Sequence, residues 1–217
     1  MGLSGLASSH PDKVAYTMAR GEQRFTYSQL DRAANQGAQL FRSLGLKRGD
    51  HLAILLENHP LFFQIVCAAQ RSGLYYTTIS WRLQQEEVEY IVKDCGAKLF
   101  ISSVAQKSVA CPALEKVDGP MHCFMVDGDE IGFDSWEDAI AGQPEQPIDD
   151  QSFGAPMLYS SGTTGFPKGV KRPLSPDPYE EKEEFSMMQM LYGATADSIY
   201  LSPAPLYHAA PMTFTLS

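Results

Sequence analysis

No apolar run in this chain is long enough to cross a bilayer. The longest, Leu61 to Ala69, is broken by Gln64 and closed by Gln70-Arg71, against the roughly 18 residues a spanning helix needs. An integral membrane helix is excluded on that count; loose attachment through an apolar surface stays open. Met1 to Ser9 lacks both a basic stretch and a long apolar core, so it does not read as a secretory signal. Leu6 stands where a myristoylation signal needs Ser or Thr. Cysteine is scarce: Cys67, Cys95, Cys111 and Cys123 form no C-x-x-C pair and have no histidine at zinc-binding spacing. A reduced, cytoplasmic setting is therefore expected. Cys67 and Cys95 fall in apolar helical patterns and are expected as buried thiols. Basic charge is short as well, with 17 Lys and Arg against 26 Asp and Glu, a net charge of −9. A nucleic-acid partner would select the opposite balance.

What remains is ordinary for a globular chain: 44% hydrophobic and 20% charged residues over 217 positions. That length holds one large domain, or a domain plus a lobe. Helical and strand patterns alternate along it. Thr26 and Gln29 form a capping box for a helix that Gly45 stops. His51 to Leu56 reads as a buried strand. Asn58 is expected to cap the next helix, with Pro60 near its first turn and Gly73 at its end. Leu74 to Ile79 reads as a strand, Gln85 to Cys95 as a helix closed by Gly96, and Lys98 to Ser102 and His122 to Val126 as strands. Ser135 and Asp138 start a short helix, and 142–150 reads as a linker. Asp177, Pro178 and Glu180 open a long helix ending near Gly193, and Ser198 to Leu201 reads as a strand. The alternation implies an α/β fold with a mostly parallel sheet covered by helices on both faces.

The stretch richest in chemistry is Tyr159-Ser160-Ser161-Gly162-Thr163-Thr164-Gly165-Phe166-Pro167-Lys168-Gly169-Val170. It follows the apolar run Ala155 to Leu158, which reads as a strand. Residues 160–169 hold four hydroxyls, three glycines and one lysine. Glycines let successive backbone N–H groups converge on an anion. The hydroxyls donate to phosphate oxygens, Lys168 adds a compact positive charge, and Pro167 stiffens the far side. The composition suits a polyphosphate clamp, and equally the plain turn of a hairpin. It is not a Walker A loop, which requires G-x-x-x-x-G-K-S/T. Counted from Gly162, the second required glycine falls on Pro167, and Gly169 follows the lysine where Ser or Thr is needed.

Taken whole, the string resembles the signature loop of the adenylate-forming (AMP-binding) superfamily, which includes acyl-CoA synthetases, peptide-synthetase adenylation domains and beetle luciferases. Leu201-Ser202-Pro203-Ala204-Pro205-Leu206-Tyr207-His208 resembles that family's P-L-F/Y-H segment. Phe25 to Leu30 is similar to its T-Y-x-x-L opening, and Gly49 to Asn58 to its G-D-x-V-A-I-x-x-x-N strand. The resemblance implies stacked, mostly parallel α/β sheets. Residues 1–217 would be the N-terminal portion of the large AMP-binding domain. About 1–150 would form a first α/β part, and 151–217 the phosphate-loop strand and the start of the next part. No G-Y-G-x-T-E and no Y-x-S/T-G-D segment occurs, so the C-terminal domain is expected to be absent and the chain to be inactive alone.

The implied activity is ATP-dependent conversion of a carboxylic acid to an acyl-adenylate and then to an acyl-CoA. ATP, Mg²⁺ and coenzyme A are the implied cofactors. By the same resemblance Ser161, Gly162, Thr163, Thr164, Gly165 and Lys168 hold the ATP phosphates, with Lys168, Thr164 and His208 as the catalytic set. Ser160 joins them and matches a position whose hydroxyl approaches Mg²⁺. Tyr207 and His208 border the acid pocket. The segment around His208 is closer to fatty-acid or steroid-chain synthetases than to amino-acid adenylation domains. Lys171-Arg172-Pro173 departs from the S/T-H that more often follows the loop. Two other readings stay open: a naturally truncated, non-catalytic polyphosphate-binding or interaction module, and half of a split enzyme completed by a second chain or a dimer partner.

Overall fold

The computed structural model describes residues 2–216, apart from 20–22, 161–166, 177–178, 180–186 and 196. Helix α1 (Leu3–Ser9) and an antiparallel pair, β1 (Val14–Thr17) and β2 (Arg24–Thr26), lead into helix α2 (Tyr27–Ser43). The capping box forms as its residues dictate. The Gln29 N–H donates to Thr26 Oγ1 at 3.2 Å, and the Thr26 N–H donates to Gln29 Oε1 at 2.9 Å.

Strand and helix then alternate through β3 (His51–Leu55), α3 (Phe62–Arg71), β4 (Tyr75–Thr78), α4 (Gln85–Cys95), β5 (Ala97–Ser103), α5 (Lys107–Leu114), β6 (His122–Val126), β7 (Asp134–Ser135), α6 (Trp136–Ala141) and β8 (Ala155–Pro156). These strands form one parallel sheet in the order β7-β6-β5-β3-β4-β8. The expected mostly parallel α/β sheet is what the chain builds.

The period-2 alternation of β3 explains why both faces are covered. Leu52 and Ile54 enter one core cluster with Phe41 of α2, Ile65 and Ala69 of α3, and Trp136 of α6. Ala53 and Leu55 enter the other, with Val88, Ile91 and Val92 of α4 and Ala110 and Ala113 of α5. Cys67 and Cys95 are buried free thiols, as their patterns predict. Arg71, 2% exposed, is neutralised inside the first cluster by Asp31 at 2.9 Å and bonds Asn35. Among the described residues no helix is long and apolar enough to cross a membrane.

Beyond β8 the chain forms the antiparallel hairpin β9 (Leu158–Ser160) and β10 (Lys168–Val170), then helices α7 (Met187–Tyr192) and α8 (Ala209–Leu216). Three expectations change here. Ala155 to Leu158 is not one strand: β8 pairs with β4, and from Leu158 the chain pairs with β10 instead. Among the described residues Ser198 to Leu201 has no strand partner. Ile199 is 98% and Leu201 73% exposed, so its apolar residues face outward. Asn58 caps nothing, because α3 starts only at Phe62; its amide bonds the distant 204–206 segment. The start expected for the long helix at Asp177, Pro178 and Glu180 lies outside the described residues. Its end agrees, with Gly193 following α7 at φ +65°.

Candidate functional site

In sequence the glycine-rich stretch joins β9 to β10, which pair antiparallel. β8 runs parallel to β4, and the Met157 N–H donates to the Tyr76 carbonyl at 3.0 Å before the chain turns into the hairpin. Ser160 faces Lys168, Tyr159 faces Gly169, and Leu158 faces Val170. The two ends of the loop are thereby held side by side. Ser161, Gly162, Thr163, Thr164 and Gly165 lie outside the described residues. Ser160 and Lys168 are both exposed, and Ser160 Oγ donates to the Lys168 carbonyl at 3.4 Å.

The base of the hairpin is tightly packed. A Cβ on Gly169 would lie 2.4 Å from Met157 Cε and 3.0 Å from Tyr159 Cζ, so a larger residue there would displace these two side chains. The Tyr159 hydroxyl donates to Asp94 Oδ2 on α4 at 2.5 Å. Burial first, then the neighbouring carboxylate, raise its pKa and keep the phenol protonated as a donor.

The dipeptide that departs from the family pattern has its own docking site. Lys171 Nζ lies 2.9 Å from His51 Nε2 and 4.3 Å from the centroid of the Tyr75 ring. The Tyr75 hydroxyl donates to the Arg172 carbonyl at 2.8 Å, and the His51 and Tyr75 rings stack at 4.7 Å. An ammonium can only donate, so His51 Nε2 is the acceptor and its proton sits on Nδ1. Burial, then the Lys171 charge, lower the His51 pKa to about 4, so the ring is neutral at pH 7. These contacts anchor the outgoing arm of the hairpin at the amino ends of β3 and β4.

Tyr207 and His208 lie at the other end of β4. Thr78, its last residue, donates its hydroxyl to the Tyr207 carbonyl at 3.0 Å. The Tyr207 ring is edge-on to Trp81 at 6.5 Å and 4.3 Å from the His208 ring. Arg82 lies over Trp81 at 5.0 Å. Leu206, 5% exposed, plugs the first core cluster, whereas the ring of His208 is exposed. The His208 carbonyl accepts from the Met212 N–H at 3.1 Å and so opens α8. This is the carboxyl edge of a parallel sheet, where open α/β folds bind their ligands.

Among the described residues no hydrogen bond or ring contact joins the Ser160–Lys168 pair to Tyr207 and His208. What they share is β4. Met157 and Tyr159 pack in the cluster on one face of the sheet, and Leu206 in the cluster on the other. Among the described residues no group of three His, Cys, Asp or Glu side chains is placed to hold a metal. Magnesium in nucleotide sites takes one or two carboxylates with substrate phosphates and water. Ser160 brings a single neutral oxygen, so the described residues do not by themselves fit the ion. No sequence pattern assigns Thr78 a role at the site, and Asn58 reads there as a helix cap. Asn58 stood inside the G-D-x-V-A-I-x-x-x-N resemblance, which was the one signal available.

The profile of the AMP-binding enzyme family matches residues 5–217. The long-chain-fatty-acid–CoA ligase FadD13 of Mycobacterium tuberculosis (strain CDC 1551 / Oshkosh) is 30% identical over 217 residues, covering 95% of this chain and 40% of that protein. The crotonobetaine/carnitine–CoA ligase of Proteus mirabilis (strain HI4320) is 29% identical, covering 76% of this chain and 34% of that protein. Among solved structures, a Mycobacterium tuberculosis fatty acyl CoA synthetase superposes with a TM-score of 0.73 at 25% identity, over 99% of this chain and 41% of that one. The anthranilate CoA ligase AuaEII, in complex with anthranoyl-AMP, gives 0.69 at 26% identity, over 77% and 33%. The chain thus spans about two-fifths or less of the length of these relatives. On the match across residues 5–217, the chain belongs to the AMP-binding enzyme family.

Proposed function

We propose that this chain forms the N-terminal part of an ATP-dependent acid–thiol ligase that activates a carboxylic acid, of fatty-acyl or related class, and passes it to coenzyme A. The observation that carries the reading is the signature string between β9 and β10, whose antiparallel pairing sets the exposed Ser160 and Lys168 opposite each other. The ligase names of relatives at about 30% identity support the reaction class.

The physical difficulty is charge. A carboxylate approaches a polyphosphate, its oxygen bonds to the α-phosphorus, and the bond to pyrophosphate breaks. Donors fixed in advance around the β- and γ-phosphates stabilise the charge that grows on the leaving group, each worth ~3 kcal/mol in the transition state. Lys168, Thr164 and the backbone of Gly162 and Gly165 serve there, with Ser160, Ser161 and Thr163. In the second step a thiolate attacks the acyl carbon and AMP departs. His208 orients the acid and gates its approach. It need not act as a base, because a carboxylic acid of pKa ~4 is already ionised at pH 7. Tyr207 forms the wall beside it. The four free thiols fit a reducing cytoplasm.

The test is acid-dependent ATP–pyrophosphate exchange by the polypeptide expressed from its complete native reading frame. Its size is checked by immunoblot against 24.0 kDa. Lys168→Ala and Thr164→Ala should each slow exchange at least tenfold, or ~1.4 kcal/mol. Unchanged exchange in both would reduce the loop to a structural turn. ATP binding without exchange for any acid would favour a non-catalytic module.

A further inference from the structure

Asn58 uses its whole side-chain amide on a segment almost 150 residues away. Nδ2 donates to the Ala204 carbonyl at 3.1 Å, and Oδ1 accepts from the Leu206 N–H at 2.9 Å. One side chain here imitates the paired bonds of a β-ladder. Thr78 then takes the Tyr207 carbonyl. Residues 204, 206 and 207 are gripped in succession, and His208 is the first beyond the grip.

The turn that carries Asn58 is itself held from three directions. His59 Nδ1 accepts from the Leu61 N–H at 3.2 Å, which puts the ring proton on Nε2, and Nε2 donates to Asp127 Oδ2 at 2.8 Å. The Pro60 carbonyl accepts from the Tyr16 hydroxyl at 2.8 Å. β3 enters the turn from the centre of the sheet. Asn58 therefore stands on a fixed base, and the 204–206 segment takes its position from it.

We propose that Asn58 is a positioning residue: it sets the backbone of 204–206 and through it the reach of His208 toward the acid. The proposal rests on the reading of His208 as an acid-site residue. Among the described residues no hydrogen bond of the Asn58 side chain reaches the hairpin; both go to Ala204 and Leu206. Its removal acts on the acid end of the site and leaves the phosphate end in place.

The experiment combines hydrogen exchange by mass spectrometry with exchange kinetics on the complete native polypeptide, for Asn58→Ala, His208→Ala and the double variant. In Asn58→Ala, peptides covering 203–208 should exchange at least about tenfold faster. kcat should fall, or KM for the acid rise, by about tenfold, with KM for ATP within about twofold. The loss should vanish in the His208→Ala background, because a residue that acts only through His208 has nothing left to position. Asn58→Asp keeps the acceptor for the Leu206 N–H and loses the donor to Ala204. It should fall between wild type and Asn58→Ala on both measurements, and it serves as the reading if the alanine variant does not fold. Unchanged protection of 203–208, a loss that simply adds to that of His208→Ala, or an equal rise in KM for ATP overturns the proposal. Full turnover in His208→Ala sinks the acid-site reading instead, and it is read independently of the amide exchange.

Discussion

Lys171 and His51 share a hydrogen bond that protonation of the ring would replace with two cations 2.9 Å apart. The charged groups around this histidine are Lys171 and Asp50, with Lys98 bonded to Asp50 at 2.7 Å. The folded-state pKa of about 4 lies below the 6.5 of a free histidine, so the unfolded chain takes up this proton first. The contribution of His51 to stability is whole above pH 6.5 and is lost as pH falls through the window from 6.5 to about 4. Asp50 titrates lower still. Burial pushes its pKa up, but the bond to Lys98 and the Lys47 N–H outweigh that and hold it below 3.8. Urea unfolding at pH 7, 5.5 and 4.5 should show wild type losing more stability across this window than His51→Gln, which accepts the lysine without titrating. Equal slopes would refute the assignment. Gly154 makes a second prediction. A Cβ there would lie 2.4 Å from the Leu74 carbonyl oxygen and 2.7 Å from that of Ala69. Backbone cannot yield as a side-chain tip does, so Gly154→Ala should cost about 1–3 kcal/mol by urea unfolding.

Helix α2 tests local coding at the scale of one element. Thr26→Ala removes the acceptor for the Gln29 N–H and should cost about 1 kcal/mol in the same assay. Elements with such local marks were readable in advance. α4 begins and ends where its pattern places it, with Gly96 closing it at φ +64°. The cap of α6 is the expected Ser135, whose Oγ accepts from the Asp138 N–H. What escaped has physical reasons. α5 carries Pro112 in its interior, which argues against a helix on propensity alone. Asn58 has a capping residue's chemistry, but its partners lie across the fold, where no local window reaches. Ser198 to Leu201 has a strand's composition but, among the described residues, no strand beside it to pair with. At the candidate site, the signature string and the His208 segment were legible because their chemistry is contiguous. The supports, His51, Asn58 and Thr78, were not, because each grips a residue more than 100 positions away.

For the molecule as a whole, the sheet order places β3 and β5 inside and the two-residue strands β7 and β8 at the edges. Amides of β3 and β5 should exchange only on global unfolding, and those of β7 and β8 at least about a hundredfold faster. Uniform protection across all six strands would contradict this. The order also has a consequence for synthesis. β3 pairs with β4 on one side and β5 on the other, and β6 and β7 extend the sheet outward from β5. The opposite flank of β4 receives β8 only when Ala155 arrives to pair with Tyr75, about 80 residues later. At roughly 5–20 residues per second, a ribosome leaves that flank bare for about 4–16 s. During that interval the nascent chain carries an open parallel edge next to the buried Tyr75 and Tyr76. Until Ala155 arrives, that edge is a template open to pairing with another strand.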